Sequence, residues 1–339
     1  MKKLACFIIY LFIFSCSKND PSAGFIPEPG VFVTGEDINA PYIARYWSSN
    51  SSQALSDAAH ATFTKSIFVK DQDVYVAGNQ SKDSRVSVAM LWKNGESTPL
   101  SDGAYSAYAN SVYVNGSDVY VAGRESSGAN IAPNGRAAEV AKLWKNGVAT
   151  NLSDGIQDGF ANSVILSGND VYVAGSNTDP ITMKSVAVYW KNNNEVKLTD
   201  GAFDSSAKAI AVSSDAIYVA GDEVISGSPT AVYWKNGVKI KLTDGTNYSD
   251  ATSIAVSGTD VHIVGFEFIN SQVQARYWKN GQSIKLTDGK GSSSASTIFI
   301  SGSDIYISGT ENNIAAYWKN GHGVNLPFSY NASSIFVKK

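Results

Sequence analysis

Ala231-Val-Tyr-Trp-Lys-Asn-Gly237 returns, worn but legible, seven times along the chain. Every tryptophan sits in a copy: Trp47, Trp92, Trp144, Trp190, Trp234, Trp278 and Trp318, at intervals of 45, 52, 46, 44, 44 and 40 residues. An Ala stands three positions before each Trp, from Ala44 to Ala315. Self-similarity at such a period marks a repeat architecture, in which each unit buries its apolar face only against its neighbours.

Within one repeat the apolar runs are short. Residues 251–256 (ATSIAV) are followed by a Ser-Gly-Thr-Asp turn and by 261–265 (VHIVG), and after a loop come 275–281 (ARYWKNG) and 283–289 (SIKLTDG). Each run is rich in Val, Ile, Tyr or Trp and is bounded by Gly, Asn, Asp or Ser, the signature of strands. We label them A, B, C and D. Asn-Gly at 94–95, 146–147, 236–237, 280–281 and 320–321 is the dipeptide of a type I′ turn and joins C to D. Ser-Gly-Ser-Asp and its variants join A to B. No run after the first 16 residues keeps helical spacing.

The chain is therefore all-β, and four antiparallel strands repeated seven times predict a seven-bladed β-propeller over 31–339. The ends supply an internal test. Residues 334–337 (SIFV) read as an A strand with no B after it, and 31–35 (VFVTG) as a B strand with no A before it. The C-terminal A strand is expected to complete the N-terminal blade, closing the ring and leaving no open edge. In strand C the Trp should face one neighbouring blade and the Ala–Tyr pair the other. A buried Trp removes roughly 150–250 Å² from water, a gross gain of about 4–6 kcal/mol at ~25 cal/mol/Å².

The tryptophan closing strand C is similar to that of WD repeats, but Lys follows it where they carry Asp, and their Gly-His element is absent. Over 31–339 the YWKNG, LTDG and VYVAG motifs resemble those of uncharacterised Bacteroides-type secreted lipoproteins with propeller repeats, a group that implies a fold and an address but no activity.

The N-terminus speaks to that address. Lys2 and Lys3 precede an eleven-residue apolar run, 4–14 (LACFIIYLFIF), of the length of a signal peptide rather than a membrane span. It ends in Ile13-Phe14-Ser15-Cys16, which resembles a bacterial lipobox. That resemblance implies removal of residues 1–15, lipid on Cys16 and anchoring in the cell envelope. Ser17 after the Cys, not Asp, implies the outer membrane, and Ser17-Lys18-Asn19-Asp20 partly resembles a surface-export tag. Residues 16–30, with Pro21, Pro27 and Pro29, read as a tether. The only other cysteine is Cys6, inside the apolar run, so the mature chain is expected to hold no disulfide or thiolate metal site.

Charge narrows the partners. Charged residues make up 17 % of the chain and the net charge is -3, which argues against a phosphate-neutralising surface and a nucleic-acid partner. A monomer without cofactor or metal is expected. The aspartates of Leu-(Ser/Thr)-Asp-Gly (Asp102, Asp154, Asp200, Asp244, Asp288) fall one per blade, too far apart to converge on Ca²⁺, and are read as Asx-turn caps. The three histidines, His60, His262 and His322, are placed apart, and no nucleophile elbow, HExxH or phosphate loop occurs in a fitting context, so no catalytic residue is assigned.

Recognition is expected on the face carrying the B–C and D–A connections. The B–C segments hold 8, 10, 17, 11, 9, 9 and 5 residues, the longest being 124–140 with Arg124, Glu125, Arg136 and Glu139. Unequal loops on a rigid scaffold are a common seat of binding. The D–A segments carry His60, Phe63 and Phe328, beside the aromatics chosen as candidate ligand-binding residues: Tyr105, Tyr108, Phe160, Phe203, Tyr248 and Tyr330. Asp158, Asp204 and Asp250 lie alongside. Such a set suits the faces and hydroxyls of sugar rings, and equally suits filling gaps between blades. The chain is thus read as a lipid-anchored envelope module for a glycan or protein. The alternative is an envelope hydrolase or lyase acting on polysaccharide, for which paired carboxylates about 5–10 Å apart in the mouth would speak.

Overall fold

The computed structural model describes residues 28, 30–37, 42–48, 51–56, 59–131, 137–213, 216–326 and 329–338. Cys16, its apolar leader, the tether up to Pro27, Arg136, Asp215 and Phe328 lie outside the described residues. The described residues form twenty-eight strands, β1 to β28, in seven four-stranded antiparallel sheets. This is a seven-bladed β-propeller. The fifth blade gives the pattern: A is β16 (Ser205–Val212), B is β17 (Ile217–Ile225), C is β18 (Ser228–Lys235) and D is β19 (Val238–Lys241).

Ring closure follows the expected register. The C-terminal β28 (Ser329–Val337) pairs with β1 (Val31–Asp37), matching Val31 to Val337 and Val33 to Ile335, and β2 (Ala44–Ser48) and β3 (Ser51–Ala54) complete that blade.

Six of the seven Trp, all but Trp47, lie in an apolar cluster that spans a blade interface. Trp278 lies in one apolar cluster with Tyr218, Ala220, Ala231 and Tyr233 of the preceding blade, and Trp234 does the same with Tyr172, Ala174 and Ala187. All seven are at most 2 % exposed. Ala three residues before the Trp is needed because the next blade's indole rests there.

The opposite face is held by a repeated polar clasp. In the second blade the Asn94 Oδ1 accepts from Val74 N, its Nδ2 donates to Asp73 Oδ1, and Lys93 Nζ reaches Asp73 Oδ2 at 2.7 Å. The same set recurs at Asp118, Asp170, Asp260 and Asp304. The Lys after Trp is therefore not merely a solvated turn residue, as its place beside Asn-Gly suggests; it ties the C–D turn to the A–B turn. Asn94 and Gly95 have φ of 54° and 89°, the positive pair that a type I′ turn requires. Each Leu-(Ser/Thr)-Asp-Gly aspartate caps its own turn, as Asp244 Oδ1 does in accepting from Thr246 N at 2.8 Å.

One regular feature is not evident from the strand pattern. Every A strand carries a bulge, in which one extra residue stands against strand B: Lys65, Asn110, Asn162, Lys208, Thr252, Ser296 and Ser333. Opposite each bulge is the Gly of VYVAG. A Cβ on Gly35, Gly78, Gly123, Gly175, Gly221, Gly265 or Gly309 would sit 1.9–2.0 Å from the A-strand carbonyl, so only glycine lets the bulged backbone close in.

Candidate mouth site

The A strands pack on one another around the axis and line the central mouth. Besides β16 and β28 they are β4 (Thr62–Lys70), β8 (Ala107–Asn115), β12 (Gly159–Ser167), β20 (Ser249–Ser257) and β24 (Ser293–Ser301). The bulged residues stitch this ring. Asn110 Nδ2 donates to Ala161 O at 2.9 Å, Asn162 Nδ2 to Ala207 O at 2.8 Å, and Thr252 Oγ1 to Ala295 O at 2.9 Å. The following hydroxyl accepts from the next blade: Ser66 Oγ from Val112 N, Ser111 Oγ from Val164 N, and Ser253 Oγ from Ile298 N.

Two residues before each bulge the A strand faces the residue just after the VYVAG glycine. These cross-strand pairs do not repeat: Asn331–Glu36, Phe63–Asn79, Tyr108–Arg124, Phe160–Ser176, Ser206–Asp222, Asp250–Phe266 and Ser294–Thr310. The fold thus repeats its frame and varies its chemistry at one level of the mouth.

Two unlike halves result. Along blades 1 to 4 runs an aromatic arc. Tyr330, the extra residue of a second irregularity in β28, lies 6.1 Å from the Tyr42 ring, which lies 5.6 Å from Phe63. Next comes Arg124, whose guanidinium carbon sits 4.3 Å from the Tyr108 ring centre and 5.3 Å from that of Phe160. A cavity of about 540 Å³ opens here, walled by Phe63, Lys65, Tyr108, Asn110 and Arg124 among others. Across the mouth, blades 5 and 6 carry an ionic triad. Lys208 Nζ stands 3.5 Å from Asp222 Oδ1 and 3.8 Å from Asp250 Oδ2. Burial pushes the Asp222 carboxyl up to about 6, with the Asp250 charge adding to the rise and Lys208 opposing it. Burial likewise raises Asp250. Lys208 takes the place of the Asn or Thr stitch, and Ala209 that of the serine, so ions replace hydrogen bonds between blades 5 and 6.

The six candidate aromatics are therefore not one ring. Tyr108 and Phe160 meet at Arg124. Tyr330 extends the same arc through Tyr42. Tyr248 stands on the other half, edge-on to Phe266 at 5.5 Å. Tyr105 lies farther out, its ring over Gly128, where a Cβ would come within 2.1 Å of it. Phe203 is apart from all of them, exposed beside Glu223 and Lys239 in a groove toward the outer edge of blade 5. The long 124–140 segment is mostly not a loop: β9 (Asp118–Ile131) and β10 (Ala137–Lys145) continue as a projecting hairpin, pairing Glu139 with Ser126 and Ala137 with Ile131.

The histidines stand apart. His262 is buried with Nδ1 2.7 Å from Tyr277 Oη, while His60 and His322 are exposed. The acidic cavity of about 490 Å³ at the edge of blade 4 has its aspartates occupied: Asp154 accepts from Ile156 N, Asp158 from Glu139 N, and Asp179 from Ile181 N and Thr182 N.

Sequence reasoning named Arg124 but missed Lys65, Asn110, Asn162, Lys208 and Asp222. A signal was present. The glycine of VYVAG sits inside a strand, which marks a bulge or a close backbone approach. Aligning the seven repeats on that glycine brings the residue after it, and its neighbours on strand A, into one ring.

No protein-family model matches the chain, and no curated protein matches it. Solved structures do resemble it. A puromycin-hydrolysing peptidase of Mycobacterium tuberculosis superposes with a TM-score of 0.56 at 9 % identity, over 91 % of this chain and 54 % of that one. An acylaminoacyl peptidase of Pyrococcus horikoshii gives 0.53 at 12 % identity, over 89 % and 51 %. A prolyl endopeptidase gives 0.52 at 11 % identity, over 91 % and 50 %. The chain spans about half the length of each, and at these identities the likeness is one of propeller fold.

Proposed function

We propose that this chain is a lipid-anchored binding module of the cell envelope, held in the outer membrane through Cys16 and recognising a glycan or protein with the mouth that carries its non-repeating residues. The observation that carries the reading is Arg124 between Tyr108 and Phe160 at the wall of an open cavity. A rigid ring offering oriented polar groups beside aromatic faces is the general form of a recognition site. An envelope hydrolase finds less support. Among the described residues, the mouth carboxylates of Asp222 and Asp250 both face the Lys208 ammonium, which occupies the place a substrate oxygen or a water would need.

Two measurements test this. Mass spectrometry of the chain from membranes should find residues 1–15 removed and lipid on Cys16; an unmodified Cys16 refutes the anchor. The full chain in detergent should bind glycans on an array or capture an envelope protein, and Arg124→Gln should weaken that binding by about tenfold or more. Retention unaffected by that change refutes the mouth as the site.

A further inference from the structure

We infer that the mouth cavity between blades 2 and 4 is a subsite for an acidic sugar, with Arg124 and Lys65 taking its carboxylate and Phe63 and Tyr108 its ring faces. This rests on the binding reading above and names its ligand class.

Arg124 is held as a recognition arginine is held. Two aromatic rings fix its plane, and Glu139 stands at the Nε edge at 3.4 Å, beyond a good hydrogen bond. Nε is buried without a hydrogen-bond partner. The side chain is partly exposed to the cavity, a buried donor without a partner is costly, and the planar fork of the guanidinium matches a carboxylate. Lys65 enters the same cavity from the neighbouring bulge, is exposed, and forms no ion pair among the described residues. Among the described residues no carboxylate lines this cavity, although Glu139 pairs with Arg124 and the buried Glu36 of blade 1 feels the Lys65 charge; Asp222 and Asp250 lie across the mouth. The cavity wall itself thus presents two cations and no carboxylate, which favours an anion there over the Asp222–Asp250 side.

The remaining wall favours a sugar over a peptide terminus. Asn79, Asn110 and Asn162 each bring an amide that can both donate and accept, the pairing that ring hydroxyls ask for. Phe63 and Tyr108 supply apolar faces for the C–H side of a pyranose. The volume is in the range of small-molecule pockets.

The test is calorimetric titration of the full chain in detergent with three probes: digalacturonic acid, its neutral counterpart galactobiose, and a tetrapeptide with a free C-terminal carboxylate. Digalacturonic acid should bind at least about tenfold more tightly than galactobiose. Arg124→Gln should cost about tenfold or more, and Lys65→Gln, at an exposed position, about two- to fivefold with a weaker salt dependence. Equal binding of the acidic and neutral sugars, binding of the peptide alone, or affinity for digalacturonic acid unmoved by Lys65→Gln and Arg124→Gln overturns the inference. Neutral glycan or envelope protein bound at the mouth without preference for the acid would overturn it and leave the binding module standing. If no probe, array glycan or envelope protein is retained, both fall.

Discussion

Trp234 shows how much one residue carries. It fills the interface between blades 4 and 5 against Tyr172, Ala174 and Ala187, and its indole Nε1 is buried without a hydrogen-bond partner. Its contribution is therefore packing, partly offset by that unsatisfied donor. Trp234→Ala should cost about 3–5 kcal/mol, read as a lower urea midpoint. Trp234→Phe should cost clearly less, because no hydrogen bond is lost with the indole nitrogen. Lys208 works through charge. Asp222 is raised to about 6 from its ordinary 3.8, so the folded state holds that proton more tightly than the unfolded one. Its ionisation accordingly takes stability away as pH rises from about 4 through 6. Lys208 limits that loss. Its own raised pKa means its contribution is complete below the ordinary lysine value and fades only in strong alkali. Lys208→Met should thus destabilise by about 2 kcal/mol at pH 8, discounted for partial exposure, with the gap to wild type closing below pH 4. A pH-independent gap in urea midpoints would contradict the triad.

At the scale of the element, strand A is the part that varies the chemistry of the mouth. Its bulge turns one side chain per blade toward the axis, and the VYVAG glycine makes room for it. Where that side chain is Asn or Thr it stitches blades together; where it is Lys65 it stands exposed at the cavity wall. The β9–β10 hairpin is the second element of note. It extends the strands that carry Arg124 and Glu139, so the arginine is set by a ladder rather than by a mobile loop. Under the proposed binding role, that placement would lower the entropy lost when a ligand meets the guanidinium.

For the whole molecule the ring closure is the critical joint. Lys338 N donates to Gly30 O at 2.8 Å, so the two ends of the propeller lie side by side. Removing residues 329–339 deletes the innermost strand of the first blade and bares β1 and the faces of β4 and β24. That protein should aggregate on size-exclusion chromatography and lose a sharp thermal transition. A circular permutant of the propeller, with 338 joined to 30 by a short Gly-Ser linker and the chain opened in the exposed Asn236-Gly237 turn, should fold with nearly the parent midpoint. Failure of the permutant alongside a stable truncation would mean that the pairing of β28 with β1 is not what closes the ring.

The seven Trp motifs, the Asn-Gly turns and the mismatched end strands determined the blade count, the meander and the closure. Those are local or periodic signals, and each repeat states them again. The sequence also marked the loop-bearing face and Arg124. It could not group the candidates: Tyr108 and Phe160 are 52 residues apart yet share one guanidinium, while Phe203, read by the same rule, points into an outer groove. Nor did strand periodicity disclose the bulge, because an added residue changes only the pairing between strands. Which side chains meet at the mouth depends on the pitch and radius of the closed ring, set by the sum of seven interfaces, and so the tertiary structure alone decided it.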